Sequence, residues 1–193
     1  MGLEYEWKFA AVRSQLDAIA AAYPGSWKQL RMETVYYDTP AGALSGRRIT
    51  LRRRMENDTA VCTVKTDLGN GVRGEWECAC GSISDAVPIL CKLGAPAELE
   101  ALAAGGLVAV CGAQFTRRAR LLTVPGGTAE LALDCGVLRG GTREAPLCEM
   151  ELEHKSGDLS ATAALARQLA GRFSLTVLPE SKFRRAFALA KGE

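Results

Sequence analysis

The sequence predicts an α+β fold in which roughly eight antiparallel strands are joined by short turns. Short stretches of alternating polar and apolar residues recur along most of the chain, separated by turn-forming Gly, Pro, Asn and Asp. Apolar residues at helical spacing are confined to three regions, near the start, the middle and the end. So many strands linked by hairpins could close into a barrel.

The first strand is predicted over residues 3–9 and is followed by a helix over 10–23, which stops at Pro24. Further strands are predicted over 33–37, 48–55, 59–66, 72–80, 113–124, 128–135, 147–154 and 175–178. Helical pieces rich in Ala and Leu are expected between 84 and 106 and a loop or short strand over 136–145. A helix over 159–173, with Asp158 or Ser156 as its N-cap, and a final helix over about 181–191 complete the chain.

Composition limits the function classes. The chain has 193 residues, which suits one domain over 1–193, and its net charge of +2 gives no reason to expect nucleic-acid binding. The seven cysteines include no CxxC pair and there is one histidine, so neither a common zinc site nor a disulfide framework is indicated. We find no signal peptide and no apolar run long enough for a membrane span, and we expect a reduced, cytoplasmic protein.

Charged side chains share one face on several predicted strands. In the first strand Glu4, Glu6 and Lys8 alternate with aromatic residues at 5, 7 and 9. Other sets with one parity are Arg52 and Arg54; Thr63 and Lys65; Arg73, Glu75 and Glu77; Arg118 and Arg120, with Arg117 on the opposite face; Glu130 and Asp134; and Glu149, Glu151 and Glu153. The ordinary interpretation of any one set is the wet face of an antiparallel sheet.

The alternative is that these faces point inward and line one lumen. Charges enclosed in this way must be paired with one another or hold ions. Carboxylates at E-x-E spacing suit hard divalent cations, and bases at R-x-R spacing suit a polyphosphate. Together they describe a site for a metal-chelated phosphate chain.

The ordered set of motifs resembles the CYTH superfamily, the triphosphate tunnel metalloenzymes. The resemblance rests on Glu4-Tyr-Glu6-Trp-Lys8, Tyr36-Tyr37-Asp38-Thr39-Pro40, Leu51-Arg52-Arg53-Arg54, Thr63-Val64-Lys65, Arg73-Gly-Glu75-Trp-Glu77, Ala132-Leu133-Asp134-Cys-Gly136, Cys148-Glu149-Met-Glu151-Leu-Glu153 and Ser181-Lys182. It spans essentially the whole chain, and residues 130–158 are similar to the bacterial inorganic triphosphatase branch. The resemblance implies an eight-stranded antiparallel tunnel with helices packed outside and a closing C-terminal helix.

The resemblance also implies roles for individual residues. Glu4, Glu6, Glu149 and Glu151 would bind Mg²⁺ or Mn²⁺, with Glu153 and Asp134 as further candidates, and the residues nearest the chemistry would be Glu4, Glu6, Lys8 and Lys65. The phosphate chain would meet Lys8, Arg52, Arg54, Lys65, Arg73 and Lys182, and the lumen would also hold Glu75, Glu77 and Glu130. On the sixth strand parity favours Arg118 and Arg120, with Arg117 as the alternative if the register is shifted by one. Ala119 stands where some relatives have a base.

The implied activity is hydrolysis of inorganic triphosphate to diphosphate and phosphate. Thiamine triphosphatase activity, class IV adenylate cyclase-like chemistry and a polyphosphate-binding module without turnover stay open as alternatives. The expected partner is a small triphosphate, with no nucleic acid and no membrane, and the protein is expected to be a monomer or homodimer. Relatives often continue into a helical CHAD domain, so the chain is either a stand-alone form or a fragment.

Overall fold

The computed structural model describes residues 2–67 and 73–193, except for the side chains of Leu3 and Arg73. The described part forms one antiparallel sheet with helices around it. The strands are β1 (Gly2–Glu4), β2 (Glu6–Ala10), β3 (Lys28–Asp38), β4 (Ile49–Glu56), β5 (Thr59–Asp67), β6 (Arg73–Ala79), β7 (Val108–Val124), β8 (Gly127–Gly140), β9 (Arg143–Ser156) and β10 (Thr176–Val177). The helices are α1 (Arg13–Ala22), α2 (Ala43–Gly46), α3 (Ile83–Lys92), α4 (Glu98–Ala103), α5 (Leu159–Arg172) and α6 (Lys182–Lys191). No described helix has the length and apolarity of a membrane span.

The amino-terminal segment closes the sheet. The strand order is β1-β6-β5-β4-β3-β7-β8-β9-β2-β10, so β1 and β2 lie near opposite ends of the series. Only Tyr5 separates them along the chain, and its carbonyl accepts a hydrogen bond from the His154 amide at 2.9 Å. Because one continuous segment pairs with β6 at its start and with β9 at its end, the sheet must curl round. The predicted α+β fold with a tunnel-like antiparallel sheet is confirmed.

The apolar face of the curled sheet lies outward, under the helices. Phe9 of β2 is buried with Leu16 of α1, Met150 of β9 and Leu169 of α5, and Trp7 packs against this cluster. A second outer cluster joins β4, β5 and β6 to α3 and α4. Helices therefore cover the aromatic face of the first strand, which leaves Glu4, Glu6 and Lys8 on the inner face.

Helix α6 packs across one end of the inner face. Its Phe183 and Phe187 lie against an apolar cluster that contains Met32, Tyr36 and Phe115. Tyr36 is the cross-strand partner of Arg52, and such partners point to the same side of a sheet, so this cluster shares the face of the charges. The close packing of α6 on β8 requires Gly140, because a Cβ there would lie 2.3 Å from the backbone nitrogen of Ala190.

The loop or short strand predicted over 136–145 belongs instead to two long strands. Strand β8 runs on to Gly140 and β9 begins at Arg143. Gly136 lies where a Cβ would approach the Gln114 carbonyl oxygen to 2.1 Å. Glycine is therefore needed here for close contact within the sheet rather than for a turn. The predicted N-cap at Asp158 is present, and its carboxylate accepts a hydrogen bond from the Ser160 amide at 2.8 Å.

Candidate functional site

Three buried carboxylates form the centre of the site. Asp134 of β8 is the cross-strand partner of Glu149 of β9, and Glu151 lies two residues further along β9 on the same face. Asp134 and Glu149 are 0% exposed and Glu151 is 7% exposed. Each offers an oxygen atom within 4.8 Å of the oxygens of the other two. We call Asp134, Glu149 and Glu151 the acid triad.

Three cationic side chains neutralise the acid triad. Lys182 Nζ lies 2.8 Å from Asp134 and 2.7 Å from Glu151, and it also pairs with Glu149. Arg117 donates to Asp134 through Nε at 2.8 Å and through Nη2 at 2.7 Å, and it contacts Glu151 as well. Arg185 pairs with Glu149. Three negative and three positive groups thus balance in a space that is nearly closed to water.

The start of α6 explains how Lys182 and Arg185 enter the site together. Ser181 is the N-cap of the helix and accepts a hydrogen bond from the Arg184 amide at 3.2 Å, which fixes Lys182 as the first helical residue. Residues three apart lie on the same side of a helix, so Arg185 follows Lys182 toward the acids. The Lys182 ammonium also lies 5.1 Å from the centre of the Phe115 ring, an apolar surface beneath the cation.

A second group of charges lies on β1, β6, β5 and β4, which are consecutive in the sheet. Lys65 Nζ is 2.7 Å from each carboxylate oxygen of Glu4 and 3.3 Å from Glu75. Arg52 approaches Glu75 at 3.7 Å. Next to this group, Lys8 lies 3.7 Å from Glu6. At these distances several of the pairs are loose, so these side chains are less fully neutralised than the acid triad.

The carboxyl groups differ in how well their charge is stabilised. Burial raises the pKa of Glu6 to about 7, and the nearby charges of Glu151 and Glu4 add to the rise. Burial raises the pKa of Glu151 too, but Lys182 and Arg117 outweigh it and hold that pKa well below the ordinary value. For Glu149 burial dominates over Lys182 and the pKa is raised, whereas for Glu4 the charge of Lys65 outweighs burial and the pKa is lowered.

Several buried donors in the described structure have no hydrogen-bond partner. They include the Nε atoms of Arg52, Arg54 and Arg185 and the hydroxyl of Thr63. Thr63 is the cross-strand partner of Arg52, and its side chain is 0% exposed. Buried donors without a partner are costly, so donors aimed into the lumen indicate an anion that would accept from them.

The structure brings most of the predicted residues onto the inner face. These are Glu4, Glu6, Lys8, Arg52, Arg54, Lys65, Glu75, Arg117, Asp134, Glu149, Glu151 and Lys182. Glu153 is the cross-strand partner of both Glu6 and Glu130, and its nearest base is Lys155 at 2.7 Å. Glu77 has the inner parity, as the partner of Thr63, but is exposed. The side chain of Arg73 lies outside the described part of the structure.

The predicted inward orientation of Arg118 and Arg120 is wrong. Arg118 Nη2 donates to Asp17 of α1 at 2.9 Å, and Arg120 Nη1 donates to the carbonyl oxygens of Tyr23 and Pro24 at 2.7 and 2.6 Å. These partners lie on the outer side of the sheet, where α1 packs. Arg117, the alternative named for a register shifted by one, faces the acid triad instead.

The sequence analysis missed one residue of the site and assigned no role to one residue of a quoted motif. Arg185 joins the acid triad, and its only signal in the sequence is the spacing of three from Lys182. Asp38, part of the motif at 36–40, has a structural role: its Oδ1 accepts from the amides of Thr39 and Leu44 at 2.7 and 2.8 Å, and its Oδ2 accepts from Ser45 at 3.1 Å. It therefore anchors the turn and helix α2 that lead into β4.

Fold and site together define a tunnel domain with paired acids and bases on its inner face. The family model of the CYTH domain matches residues 2–187. The chain belongs to the CYTH domain family.

Among curated proteins, the chain is similar to an inorganic triphosphatase from Haemophilus influenzae, with 26% identity over 164 residues. The match covers 84% of this chain and 47% of that protein, so the chain spans about half the length of the curated relative.

Solved structures share the fold. A putative adenylyl cyclase from Hippeastrum with a dominant triphosphatase activity superimposes with a TM-score of 0.67 at 18% identity, covering 100% of this chain and 97% of that one. A putative adenylate cyclase from Bacillus halodurans gives a TM-score of 0.61 at 17% identity, covering 96% and 98%. At these identities the likeness speaks for the fold alone.

Proposed function

We propose that this protein hydrolyses inorganic triphosphate to diphosphate and phosphate inside the tunnel, with Mg²⁺ or Mn²⁺ as the metal. The observation that carries the proposal is that the acid triad and the unpartnered arginine donors share one enclosed face. A site with both features suits a ligand that brings a hard cation and a polyanion together.

The acid triad fits a divalent cation. Its members provide oxygen ligands, which Mg²⁺ and Mn²⁺ prefer, and their oxygens lie within 4.8 Å of one another. Glu6 on β2, which adjoins β9, and Glu4 on β1, two residues earlier and with the same parity, would complete the ligand set. A cation held there would withdraw charge from the phosphoryl group and help to orient the attacking water.

The bases would hold the phosphate chain. Arg52 and Arg54 follow one another on the inner face of β4, and each has a buried Nε without a partner in the described structure. Guanidinium groups bind phosphate oxygens in pairs, and Lys65 and Lys8 would add point charges along the chain. Fixed cations at the nonbridging oxygens stabilise the charge that moves during phosphoryl transfer.

The balance of charges supports uptake of metal and triphosphate together. Without a ligand, the acid triad is neutralised by Lys182, Arg117 and Arg185. A cation alone would leave these three bases without partners, and a polyanion alone would face the three acids. When both enter, acids and bases exchange partners and the enclosed charge stays compensated.

Glu6 holds a proton part of the time at neutral pH, since its pKa is about 7. Only the ionised carboxylate can serve as a metal ligand or accept a proton from water. The charge of Glu6 therefore changes within the range where the enzyme would work.

The direct test is release of phosphate from tripolyphosphate with Mg²⁺, with Mn²⁺ and with EDTA, run beside thiamine triphosphate and ATP. We expect metal-dependent release with tripolyphosphate as the best substrate. Glu4→Gln should lose most of this activity, and Glu33→Gln, which changes an exposed glutamate of β3, should keep it. Tight binding of tripolyphosphate without phosphate release would overturn the proposal in favour of a binding module. Preference for thiamine triphosphate or ATP would overturn the assigned substrate.

A further inference from the structure

Two cysteine thiols face each other on the outer side of the sheet, behind the acid triad. Cys135 of β8 and Cys148 of β9 are direct cross-strand partners. Their Sγ atoms lie 2.7 Å apart, and both are free thiols. Two sulfurs already placed face to face by strand pairing can join without a large movement of the backbone.

The two thiols form the rung of the sheet next to the one formed by two of the acids. Cys135 directly follows Asp134, and Cys148 directly precedes Glu149, so each thiol points outward next to a carboxylate that points inward. A covalent link between the thiols would fix β8 to β9 beside the Asp134–Glu149 pair.

The two thiols differ in access. Cys135 lines a cleft of about 230 Å³ whose walls include Arg13, Asp17 and Arg118. That volume admits a small polar reagent. Cys148 is not among the residues that line this cleft, so Cys135 is the thiol that a reagent in the cleft meets first.

We propose that Cys135 and Cys148 form a disulfide-forming site that reacts with hydrogen peroxide. The sulfur of Cys135 attacks a peroxide oxygen, the O–O bond breaks, and the products are a sulfenic acid on Cys135 and one water. The sulfur of Cys148 then attacks the Cys135 sulfur, the S–O bond breaks, and a second water leaves with the Cys148 proton. In sum, two thiols and one peroxide give one disulfide and two waters.

A second pair of cysteines in the same chain provides an internal comparison. Cys62 and Cys78 are also direct partners, on β5 and β6. Cys62, however, is 0% exposed, and its thiol points to the carbonyl oxygens of Cys80 and Ser82 at 3.4 and 3.9 Å. Strand pairing alone therefore does not single out a reactive pair; contact between the sulfurs and access to the cleft do.

The experiment is peptide mapping of the folded full chain after brief exposure to peroxide. Remaining thiols are alkylated before digestion with trypsin, which places Cys135 in the peptide 121–139 and Cys148 in the peptide 144–155. We expect loss of two of the seven alkylatable thiols and a linked pair of these two peptides, two hydrogens lighter than their sum. We also expect the oxidised chain to melt a few degrees higher than the reduced one.

Serine variants separate the two steps. In Cys148→Ser the sulfenic acid on Cys135 has no resolving thiol and should be trapped by dimedone, whereas Cys135→Ser should leave Cys148 unlabelled. Melting temperatures close to that of the wild type show that both variants are folded. The proposal is overturned if Cys135 and Cys148 stay fully alkylatable after peroxide, or if Cys62 and Cys78 link at the same rate. None of these readouts depends on turnover of triphosphate.

Discussion

Arg117 and Asp134 form a two-point ion pair, with Nε to Oδ1 at 2.8 Å and Nη2 to Oδ2 at 2.7 Å. The next residue, Arg118, points to the other side of the sheet and pairs with Asp17. These two adjacent arginines of β7 thus point to opposite faces of the sheet, Arg117 to the inner face and Arg118 to the outer face.

This pair gives a matched test of which face holds the site. Arg117→Met removes a cation from the lumen, and because such contacts stabilise developing charge we expect phosphate release to fall by about 10²–10³-fold. Arg118→Met removes a partly exposed ion pair with α1 and should change the rate by less than about threefold. Steady-state rates with tripolyphosphate measure both. A large loss in Arg118→Met with little effect in Arg117→Met would show that the site lies on the outer face and would contradict the assignment to the lumen.

Arg117 and Arg118 also show which parts of the site could be predicted from the sequence and which could not. On β1, β2 and β9 the acids alternate with apolar residues such as Trp7 and Met150, so parity placed Glu4, Glu6, Glu149 and Glu151 on one face of their strands, and the resemblance to the CYTH superfamily made that face the inner one. On β7, arginines at 117, 118 and 120 occupy both faces, and the parity that favoured Arg118 and Arg120 selected the wrong one. The packing of α1 supplies Asp17 as the outer partner, and that is a tertiary contact that no local pattern contains.

Contacts between distant segments could not be predicted from the sequence either. Lys182 was predicted to reach the tunnel, but its position among all three members of the acid triad depends on how α6 docks. Arg185 reaches Glu149, 36 residues earlier in the chain, through that same docking. The close approach at Gly140 that permits it is visible only once β8 and α6 are placed together.

Asp38 should matter for stability because it is 1% exposed and accepts three backbone N–H groups. In Asp38→Asn one acceptor oxygen becomes an amide donor that meets a backbone donor. We expect the free energy of unfolding to fall by about 2 kcal/mol, the typical cost of losing a buried charged hydrogen bond. Urea unfolding measures this. Asp58→Asn, in the exposed turn between β4 and β5, is the control, and an equal loss there would contradict the special role of Asp38.

The raised pKa of Glu6 predicts that the free energy of unfolding depends on pH. Its folded-state pKa of about 7 lies above the ordinary 4.5, so between these values the folded chain binds more protons than the unfolded chain. The stability contributed by this group is therefore complete below about pH 4.5 and is lost as the pH rises through 7. Glu6→Gln cannot ionise and avoids this loss, which at ~1.4 kcal/mol per pKa unit over about 2.5 units amounts to at most ~3.5 kcal/mol.

Urea unfolding at pH 5 and pH 8 in EDTA tests the effect of Glu6. The stability of Glu6→Gln relative to the wild type should grow between the two pH values, while the exposed control Glu33→Gln should follow the wild type at both. A difference that stays constant with pH would show that Glu6 titrates normally in the folded protein. Glu6→Gln should at the same time lose phosphate release, because the amide is a poor ligand for a divalent cation.

The position of Lys182 predicts that its ammonium competes with a metal ion for the acid triad. The ammonium contacts all three carboxylates of the acid triad, the group of oxygens best placed to bind a cation. Their charges hold the pKa of Lys182 above its ordinary value although the side chain is largely buried, so the ammonium stays positive at neutral pH. A cation that binds the triad must displace this charge. Lys182→Met removes it while keeping most of the aliphatic volume.

We therefore expect Lys182→Met to bind Mn²⁺ at least about tenfold more tightly than the wild type when no triphosphate is present. The reason is that two charges ~4 Å apart interact by ~4 kcal/mol even at an effective dielectric constant of 20. Titration followed by electron paramagnetic resonance of free Mn²⁺ measures the affinity without any turnover. Lys191→Met, on the same helix but over the Phe187 ring, should leave it unchanged. With tripolyphosphate added, the order should reverse, because the wild-type ammonium, once displaced, becomes a partner for the phosphate chain. Equal or weaker Mn²⁺ binding by Lys182→Met without triphosphate would show that Lys182 helps to build the metal site rather than competing for it.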